Sequence, residues 1–382
     1  MQRRTFVRSG ASAVALSTLA ACARAFRIPL DAMVRPDASI ARSLDPDGTW
    51  VDALAYARWT PSPHNTQPWR LRVTGPRSAE VFYDPRRLLP TTDPTGAFTI
   101  MGLTMFVEYL TIAARVRHLD VDATILEATL DYSAPRPQPF ATLALRPATS
   151  DPSFDRQLIL DRKTSRLPYD GTRVDAPALD ALRAIAASHG HRVDASSDDE
   201  FVKWAIDLNR FTLFADLDDA PTRTELRRWI RTSDEEATNP GDGLWAHCMR
   251  FPGWLMRAFF DDHARWGRGW RARMSGQMLV NGMHGTRTIA WWQGPFATPA
   301  DWIAAGRVMG RSWLELTRRG VQLHPFGSVI TNARAHAQLR ARLAADEGAN
   351  TIWLLARVGR SATAPRSHRI PQADILVTGE TL

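Results

Sequence analysis

The sequence predicts a mixed α+β fold. Several segments space their apolar residues as an amphipathic or buried helix does, and shorter segments between them alternate as strands do. The chain has 382 residues, of which 44% are hydrophobic and 23% charged. That length and composition favour a sizeable core that needs neither disulfides nor a metal.

Residues 1–22 are predicted to be an export signal. The twin arginine Arg3-Arg4 precedes Thr5 and Phe6, a Tat-type pattern. The apolar stretch at residues 11–21 is shorter than the ~20 residues that span a bilayer. Leu19–Cys22 is similar to a lipobox, which predicts a lipid on Cys22, a periplasmic or membrane-anchored location and no disulfide for the other cysteine, Cys248. Plain cleavage near Ala23 or Ala25 is the alternative.

The first half of the folded chain is predicted at residues 49–150, after a linker at residues 23–48 that is rich in Pro, Asp and Ser. It mixes both kinds of element. The predicted elements are a helix at 49–59, a proline-rich turn at 60–68, strands at 69–73 and 80–83, a long buried helix at 99–116, and strands within 119–147.

The second half is predicted at residues 151–377 and is richer in helices. One helix carries Phe201, Trp204, Ala205, Leu208 and Phe211 at helical spacing. The predicted elements are helices at 153–161, 176–189, 198–214, 299–319 and 333–345, and a strand at 351–358.

An aromatic-rich stretch at about residues 241–296 interrupts this half. It holds six of the 14 tryptophans and shows no sustained helical or strand period. We interpret it as an insertion that covers a site as a lid; the alternative is that it belongs to the core.

Several classes of function are disfavoured. The sequence lacks a metal-ligand spacing, a phosphate-binding P-loop, a Rossmann G-x-G-x-x-G and a G-x-S-x-G elbow. The net charge is +8, and all cations but Lys163 and Lys203 are arginines. These arginines are scattered among acids, so we expect no nucleic-acid partner.

Four short segments remain as candidates for a binding site. Residues 60–69 form a rigid proline turn that offers Ser62, Asn65 and Gln67. Residues 161–166 gather three cations and two hydroxyl groups, which suit a phosphate or an anionic ring. Residues 320–328 end near Gly327, where a backbone could approach a ligand closely. Residues 366–371 are basic and follow the last predicted strand. Each segment alone is also compatible with a structural turn or a solvated face.

Taken together and in this order, the four segments resemble the FMN-dependent nitroreductase superfamily. Residues 60–69 are similar to its A-P-S-x-x-N-x-Q-P-W element and residues 162–166 to its R-x-S-x-[KR] element, with Thr164 in place of Ser. Residues 320–327 and 367–371 are similar to its glycine segment and its C-terminal basic segment. Asp84–Arg86 and Asp93–Gly96 further resemble the exported Acg-like branch of that family.

The order of the elements differs from that of the ordinary family, where R-x-S comes first in a homodimer. Here it follows the proline turn by about 100 residues. The resemblance therefore implies that two related halves of one chain form a pseudo-dimer with one flavin site between them. It also implies that the protein is a monomer.

This resemblance implies FMN as cofactor, with no catalytic side chain because the flavin carries the chemistry. Arg162 and Arg369 would hold the phosphate, and Thr164 would bond near the ribityl chain or the pyrimidine edge, beside Lys163. Arg166 would lie near N1 and the C2 carbonyl. Pro61, Ser62, Asn65 and Gln67 would line the site from the first half, and Pro325 and Gly327 would lie against the ring.

The implied reaction is a ping-pong one, in which NAD(P)H or another donor reduces the flavin and a nitroaromatic or quinone then oxidises it. A closed lid would exclude nicotinamide, so a flavin-binding or sequestering protein with little turnover is the alternative.

Overall fold

Two four-stranded antiparallel sheets organise the molecule. The computed structural model describes residues 33, 40–149, 153–345 and 350–377, so the predicted signal and Cys22 lie outside the described residues. The first sheet is ordered β1-β2-β4-β3. The elements of this half are α1 Thr49–Ala57, β1 Trp69–Gly75, β2 Ser78–Tyr83, α2 Ala97–Ala114, β3 Leu119–Ile125 and β4 Gln138–Pro147.

The second sheet is ordered β5-β8-β10-β9 and is also antiparallel throughout. Its strands are β5 Arg192–Ser196, β8 Thr288–Pro295, β9 Gln322–Pro325 and β10 Asn350–Gly359, while β6 Ile230–Arg231 and β7 Leu244–Trp245 form a separate short pair. The helices are α3 Gln157–Asp161, α4 Ala176–Ala187, α5 Asp199–Asp218, α6 Ala220–Trp229, α7 Asp234–Thr238, α8 Ala246–Met249, α9 Gly253–Asp261, α10 His263–Trp266, α11 Gly269–Asn281, α12 Pro299–Arg318, α13 Gly327–Thr331, α14 Ala333–Arg342 and α15 Gln372–Ile375.

The two long helices α2 and α12 pack against each other. Each contributes buried residues to both of the hydrophobic cores, one against the first sheet and one against the second. Gly306 of α12 lets the backbones approach closely, because a Cβ there would lie 2.9 Å from the Met101 carbonyl oxygen. Glu108 of α2 pairs with Arg311 of α12 at 3.0 Å. Within the described residues one helix, Ala97–Arg117, is long and apolar enough to cross a membrane, and most of it is buried inside the protein.

Two segments outside the named strands extend the edges of the two sheets, and one of them comes from the other half of the chain. Leu376, near the C-terminus, forms a parallel bridge with Leu71 on the edge of the first sheet. Thr164, which follows the first half, forms a parallel bridge with Leu323 on the edge of the second sheet. The segments around Thr164 and Leu376 therefore cross between the two cores, and they are the segments that carry predicted site residues.

The α+β prediction is confirmed, and most predicted elements lie within a few residues of the observed ones. The region 241–296 differs. Its last residues form β8, which pairs with both β5 and β10, and Trp292 on this strand is fully buried. The sequence shows no sustained period in this region, but the structure forms the helices α8 to α11 there before the buried strand β8. A covering segment would therefore end before Thr288.

The predicted linker also differs where it is described. Ile40 and Leu44 pack against the first core, and the Asp45 carboxylate accepts hydrogen bonds from the backbone N–H groups of Trp50 and Val51. Residues 40–48 thus begin the fold and cap α1, which the Pro- and Asp-rich composition did not indicate.

Candidate functional site

The proline-rich turn holds an unusual backbone. His64, Asn65 and Gln67 have φ values of 48°, 57° and 51°, the left-handed region that non-glycine residues rarely adopt. The Ser62 hydroxyl accepts a hydrogen bond of 2.9 Å from the Gln67 backbone N–H. Such conformations cost on the order of 1–3 kcal/mol each and persist where surrounding structure fixes them.

Two distant segments fix this turn. The Asn65 side-chain amide donates to the carbonyls of Gly243 and His368, at 3.1 and 3.2 Å. The Gln67 amide donates to the Gly241 carbonyl at 2.9 Å, and its oxygen accepts from the Ile370 N–H at 3.0 Å. Asn65 and Gln67 therefore join the first half to the segment 241–243 and to the C-terminal segment 368–370.

Gln67 has a different task from the predicted ligand contact. Its side chain is completely buried, and both ends of its amide are bonded to protein backbone. Gly241 is required beside it: its φ is +64°, and a Cβ would lie 2.5 Å from the Arg369 carbonyl oxygen. We therefore regard Gln67 as a residue that positions the turn.

Three arginines converge next to this turn, and we call Arg162, Arg366 and Arg369 the arginine cluster. Arg162 is 3% exposed and donates to the Trp59 carbonyl at 2.9 Å. Arg369 donates to the same carbonyl at 3.3 Å and to the Thr60 carbonyl at 3.4 Å. The guanidinium groups of Arg366 and Arg369 lie 5.0 and 5.3 Å from the Trp59 ring centroid.

The arginine cluster forms no ion pair with the described residues, although Asp161 acts on Arg366 from a greater distance. Among the described residues, no carboxylate lies within 4.0 Å of any of its guanidinium nitrogens. Burial lowers the pKa of all three, and Arg162 lowers the pKa of the other two further; that of Arg366 falls to about 9. The Nε atoms of Arg162 and Arg369 are buried without a hydrogen-bond partner. An anion is the group that would satisfy both the charge and these donors.

Arg166 and the arginine cluster both lie close to Cys248. Burial lowers its pKa to about 10, and the Cys248 thiol acts in the opposite direction. Burial raises the pKa of Cys248, which is free, while a hydrogen bond from Ser367 and the nearby arginines lower it. Cys248 is thus a buried thiol close to Arg166, Arg366 and Arg369.

His324 and Arg357 are hydrogen-bonded to each other and lie close to Arg166. The Arg357 Nε donates to His324 Nδ1 at 3.1 Å, and its Nη2 donates to the Ser165 and Leu167 carbonyls at 3.1 and 3.0 Å. Burial holds the pKa of His324 well below its usual value, with Arg357 and Arg166 adding to the effect. His324 is therefore neutral, and Arg357 holds the backbone at residues 165–167 in place.

The remaining predicted residues lie around these groups. Pro61 lies in the turn near Gly102 of α2. Lys163 and Thr164 are half-buried, and Thr164 adds to the edge of β9. Pro325 ends β9, and Gly327, which opens α13, is exposed with open space where a Cβ would stand.

Sequence reasoning missed three members of this region. Arg58 lies 5.6 Å from the Trp59 ring centroid and lowers the pKa of Arg369. Arg366 was visible within the basic segment but was not singled out, and Cys248 carried no signal. A search for arginines next to the matched segments would have found Arg58 and Arg366.

No protein-family model matches the chain. An uncharacterized protein of Mycobacterium tuberculosis is 28% identical over 185 residues, which are 47% of this chain and 52% of that protein. The chain thus spans about half the length of this curated relative. PigM of Serratia sp., described as a probable NAD(P)H nitroreductase, is 25% identical over 303 residues, 75% of this chain and 82% of that protein.

Solved structures of FMN-dependent nitroreductases are also similar. The FMN and NADPH-dependent nitroreductase NfnB of Sphigopyxis sp. strain HMH has a TM-score of 0.35 at 15% identity, covering 58% of this chain and 97% of that chain. NfnB of Mycobacterium smegmatis, solved in complex with NADPH, has a TM-score of 0.31 at 16% identity, covering 56% of this chain and 91% of that chain.

Proposed function

We propose that the chain binds FMN and is an oxidoreductase of nitroreductase type. The observation that carries the proposal is the arginine cluster, whose buried positive charge has no carboxylate partner among the described residues. A phosphate monoester supplies both the negative charge and the acceptor oxygens that the orphaned Nε atoms of Arg162 and Arg369 lack. The residues present therefore fit the phosphate of FMN.

The neighbouring residues suit the rest of the cofactor. Arg166 adds a further positive charge near Cys248, and it would face the pyrimidine end of the flavin. Pro325 and the open position at Gly327 leave room for a flat ring beside β9. When bound, the flavin supplies the electron transfer. The chain would hold its phosphate, orient its ring and set the charge around it.

We further propose a ping-pong reaction. NAD(P)H is the electron donor, and a nitroaromatic or a quinone is the acceptor. The support is the similarity to a named NAD(P)H nitroreductase over 75% of the chain.

We also propose that the two halves, 49–150 and 151–377, are related and form a pseudo-dimer in one monomeric chain. Each half builds one antiparallel sheet, and the C-terminal segment of the second half adds to the edge of the first sheet. Tat export and lipidation of Cys22 remain proposals from the sequence.

A flavin-holding protein with little turnover is the second candidate. It is favoured by the segment 241–243, which is bonded to Asn65 and Gln67 and lies against the Arg369 backbone. A segment fixed in this way would cover the site and restrict the access of nicotinamide.

The test is FMN binding by the purified chain, followed by its visible spectrum. Arg162→Ala and Arg369→Ala should each weaken FMN binding by roughly tenfold or more, since a charge-assisted hydrogen bond contributes about 1.5–3 kcal/mol. Arg146→Ala, at an exposed arginine of the first sheet, is the matched control and should leave affinity unchanged. A chain that binds no FMN, or both variants binding as the wild type does, would contradict the phosphate assignment.

Reduction then separates the two candidates. Bleaching of the flavin bands by NADPH, and their return on adding a nitroaromatic or a quinone, indicates the enzyme. A bound flavin whose colour NADPH does not change indicates the holding protein.

A further inference from the structure

The helices α9, α10 and α11 expose indole rings that the fold does not use. Trp254 and Trp270 are 65% and 62% exposed, although most large apolar side chains of the described residues are buried. On the other face of α9, Leu255, Met256 and Phe259 are buried. The helix is therefore anchored without Trp254, and exposed aromatic clusters of this kind mark interaction surfaces.

The exposed rings form one continuous surface. The Trp254 and Trp266 rings pack edge to face with centroids 6.1 Å apart. The Arg271 guanidinium lies 5.4 Å from the Trp266 centroid and 4.7 Å from the Trp270 centroid. We call Trp254, Trp266, Trp270 and Arg271 the indole patch.

The charge around the indole patch is mainly positive, although the exposed Asp261 and Asp262 directly precede it. Residues 263–281 contain Arg265, Arg268, Arg271 and Arg273 and no Asp or Glu. Arg265, Arg268 and Arg273 are exposed, and among the described residues no carboxylate lies within 4.0 Å of their guanidinium nitrogens. By contrast, Arg257 on the preceding helix is paired with Glu236. Asp261 is paired with Arg227, so the four arginines leave this surface with an excess of positive charge next to the indole rings.

We propose that the indole patch docks on a lipid bilayer that contains anionic headgroups. Tryptophan favours the headgroup region, where its ring is apolar and its N–H is hydrated, and exposed arginines are attracted to anionic lipid. The charge of the patch is complementary to such a surface. The occupant is thus a membrane surface met by the folded protein itself, independent of the flavin site and of any lipid on Cys22.

Vesicle co-sedimentation tests the proposal, with Cys22→Ser in every chain so that no lipid anchor contributes. The chain should bind vesicles of phosphatidylcholine and phosphatidylglycerol, bind phosphatidylcholine alone weakly, and lose binding as salt rises. The double variant Trp254→Ala/Trp270→Ala should lower partitioning by about tenfold or more. Arg268→Gln/Arg273→Gln should also lower it by about tenfold or more, since each arginine near such a surface contributes about fivefold.

Two double variants serve as matched controls. Val116→Ala/Leu126→Ala removes the exposed apolar residues of the first half, and Arg146→Gln/Arg183→Gln removes the same charge elsewhere. Both should bind vesicles as the unmodified surface does, and circular dichroism should show every variant folded. Quenching of tryptophan fluorescence by brominated lipid should occur in the controls and diminish in the indole variant.

Three results would overturn the proposal. The first is unchanged partitioning of the folded indole and arginine variants. The second is a change in oligomeric mass on mutating the indole patch without vesicle binding, which would assign the surface to a second copy. The third is binding of a single-stranded oligonucleotide in place of vesicles.

Discussion

Arg366 lies where three guanidinium groups approach the ring of Trp59, and burial together with Arg162 lowers its pKa to about 9. Its charge is therefore unfavourable in the folded protein when no anion is bound. We expect Arg366→Met, which retains much of the apolar stem, to stabilise the FMN-free chain by about 1 kcal/mol. The same change should weaken FMN binding about tenfold or more.

Urea unfolding without flavin and FMN titration measure these two effects. Arg183→Met, at an exposed arginine on α4, is the control and should change neither quantity. Loss of both stability and affinity in Arg366→Met would show that this arginine is structural.

His64, in the proline-rich turn, makes the free energy of unfolding depend on pH. Burial lowers its pKa from 6.5 to about 4, opposed by Glu225. Between pH 6.5 and 4 the unfolded chain takes up a proton that the folded His64 does not, so its contribution to stability falls as pH falls. That loss reaches at most about 2 kcal/mol at pH 5.

The variant His64→Asn isolates this effect, because asparagine tolerates the left-handed backbone at this position. Its free energy of unfolding should decline less than that of the wild type between pH 6.5 and 5. Asp93 acts in the opposite direction: burial raises its pKa to about 6, so its contribution grows as pH falls toward 3.8. The pH dependence of the free energy of unfolding must therefore be compared between the wild type and His64→Asn. If the two proteins lose stability in parallel as pH falls, His64 is not the cause.

At the scale of elements, the crossing of α2 and α12 depends on Gly306. A Cβ there would lie 2.9 Å from both the Met101 carbonyl oxygen and Thr104 Cβ. Gly306→Ala should therefore destabilise the protein by roughly 1–3 kcal/mol, in spite of the better helix propensity of alanine. The measurement is the free energy of unfolding in urea.

Gly276 on α11 is the matched control for Gly306. A Cβ at Gly276 would meet its nearest neighbour, the Arg210 side chain, at 3.5 Å, an ordinary contact. Gly276→Ala should stabilise the protein by up to about 1 kcal/mol. Equal effects of the two substitutions would show that the close approach of α2 and α12 is not what makes Gly306 necessary.

Elements were predictable from the sequence wherever their own residues carry a period. The helix at residues 299–319 was predicted within one residue of α12, which begins with a capping box formed by Thr298 and Asp301. The strands β5, β8 and β9 were not predicted. β9 is four residues long, and β8 is covered on both edges by other strands, so neither displays an alternation long enough to recognise.

At the scale of the whole molecule, bound FMN should stabilise both halves together. Residues of the arginine cluster contact Trp59 and Thr60 of the first half but come from segments that follow it. FMN at 100 times its Kd should therefore raise the free energy of unfolding by about 2.7 kcal/mol in a single transition.

Differential scanning calorimetry checks this expectation, with riboflavin, which lacks the phosphate, as the control ligand. Riboflavin at the same concentration should raise the transition temperature much less. Two transitions, of which FMN moves only one, would place the site within one half and contradict its position between them.

The sequence by itself determined the α+β composition, the approximate extent of α1 to α5, α12 and α14, and the segments that gather at the candidate site. These depend on apolar spacing, proline turns and short motifs, all of which are local properties of the chain. Only the tertiary structure decided that Arg366 joins Arg162 and Arg369 without a carboxylate partner among the described residues. It also decided that the side-chain amide of Gln67 is hydrogen-bonded to the backbone of Gly241 and Ile370. Charge balance and hydrogen-bond saturation depend on residues more than a hundred positions apart, so they exist only once the two sheets and their crossing segments are assembled.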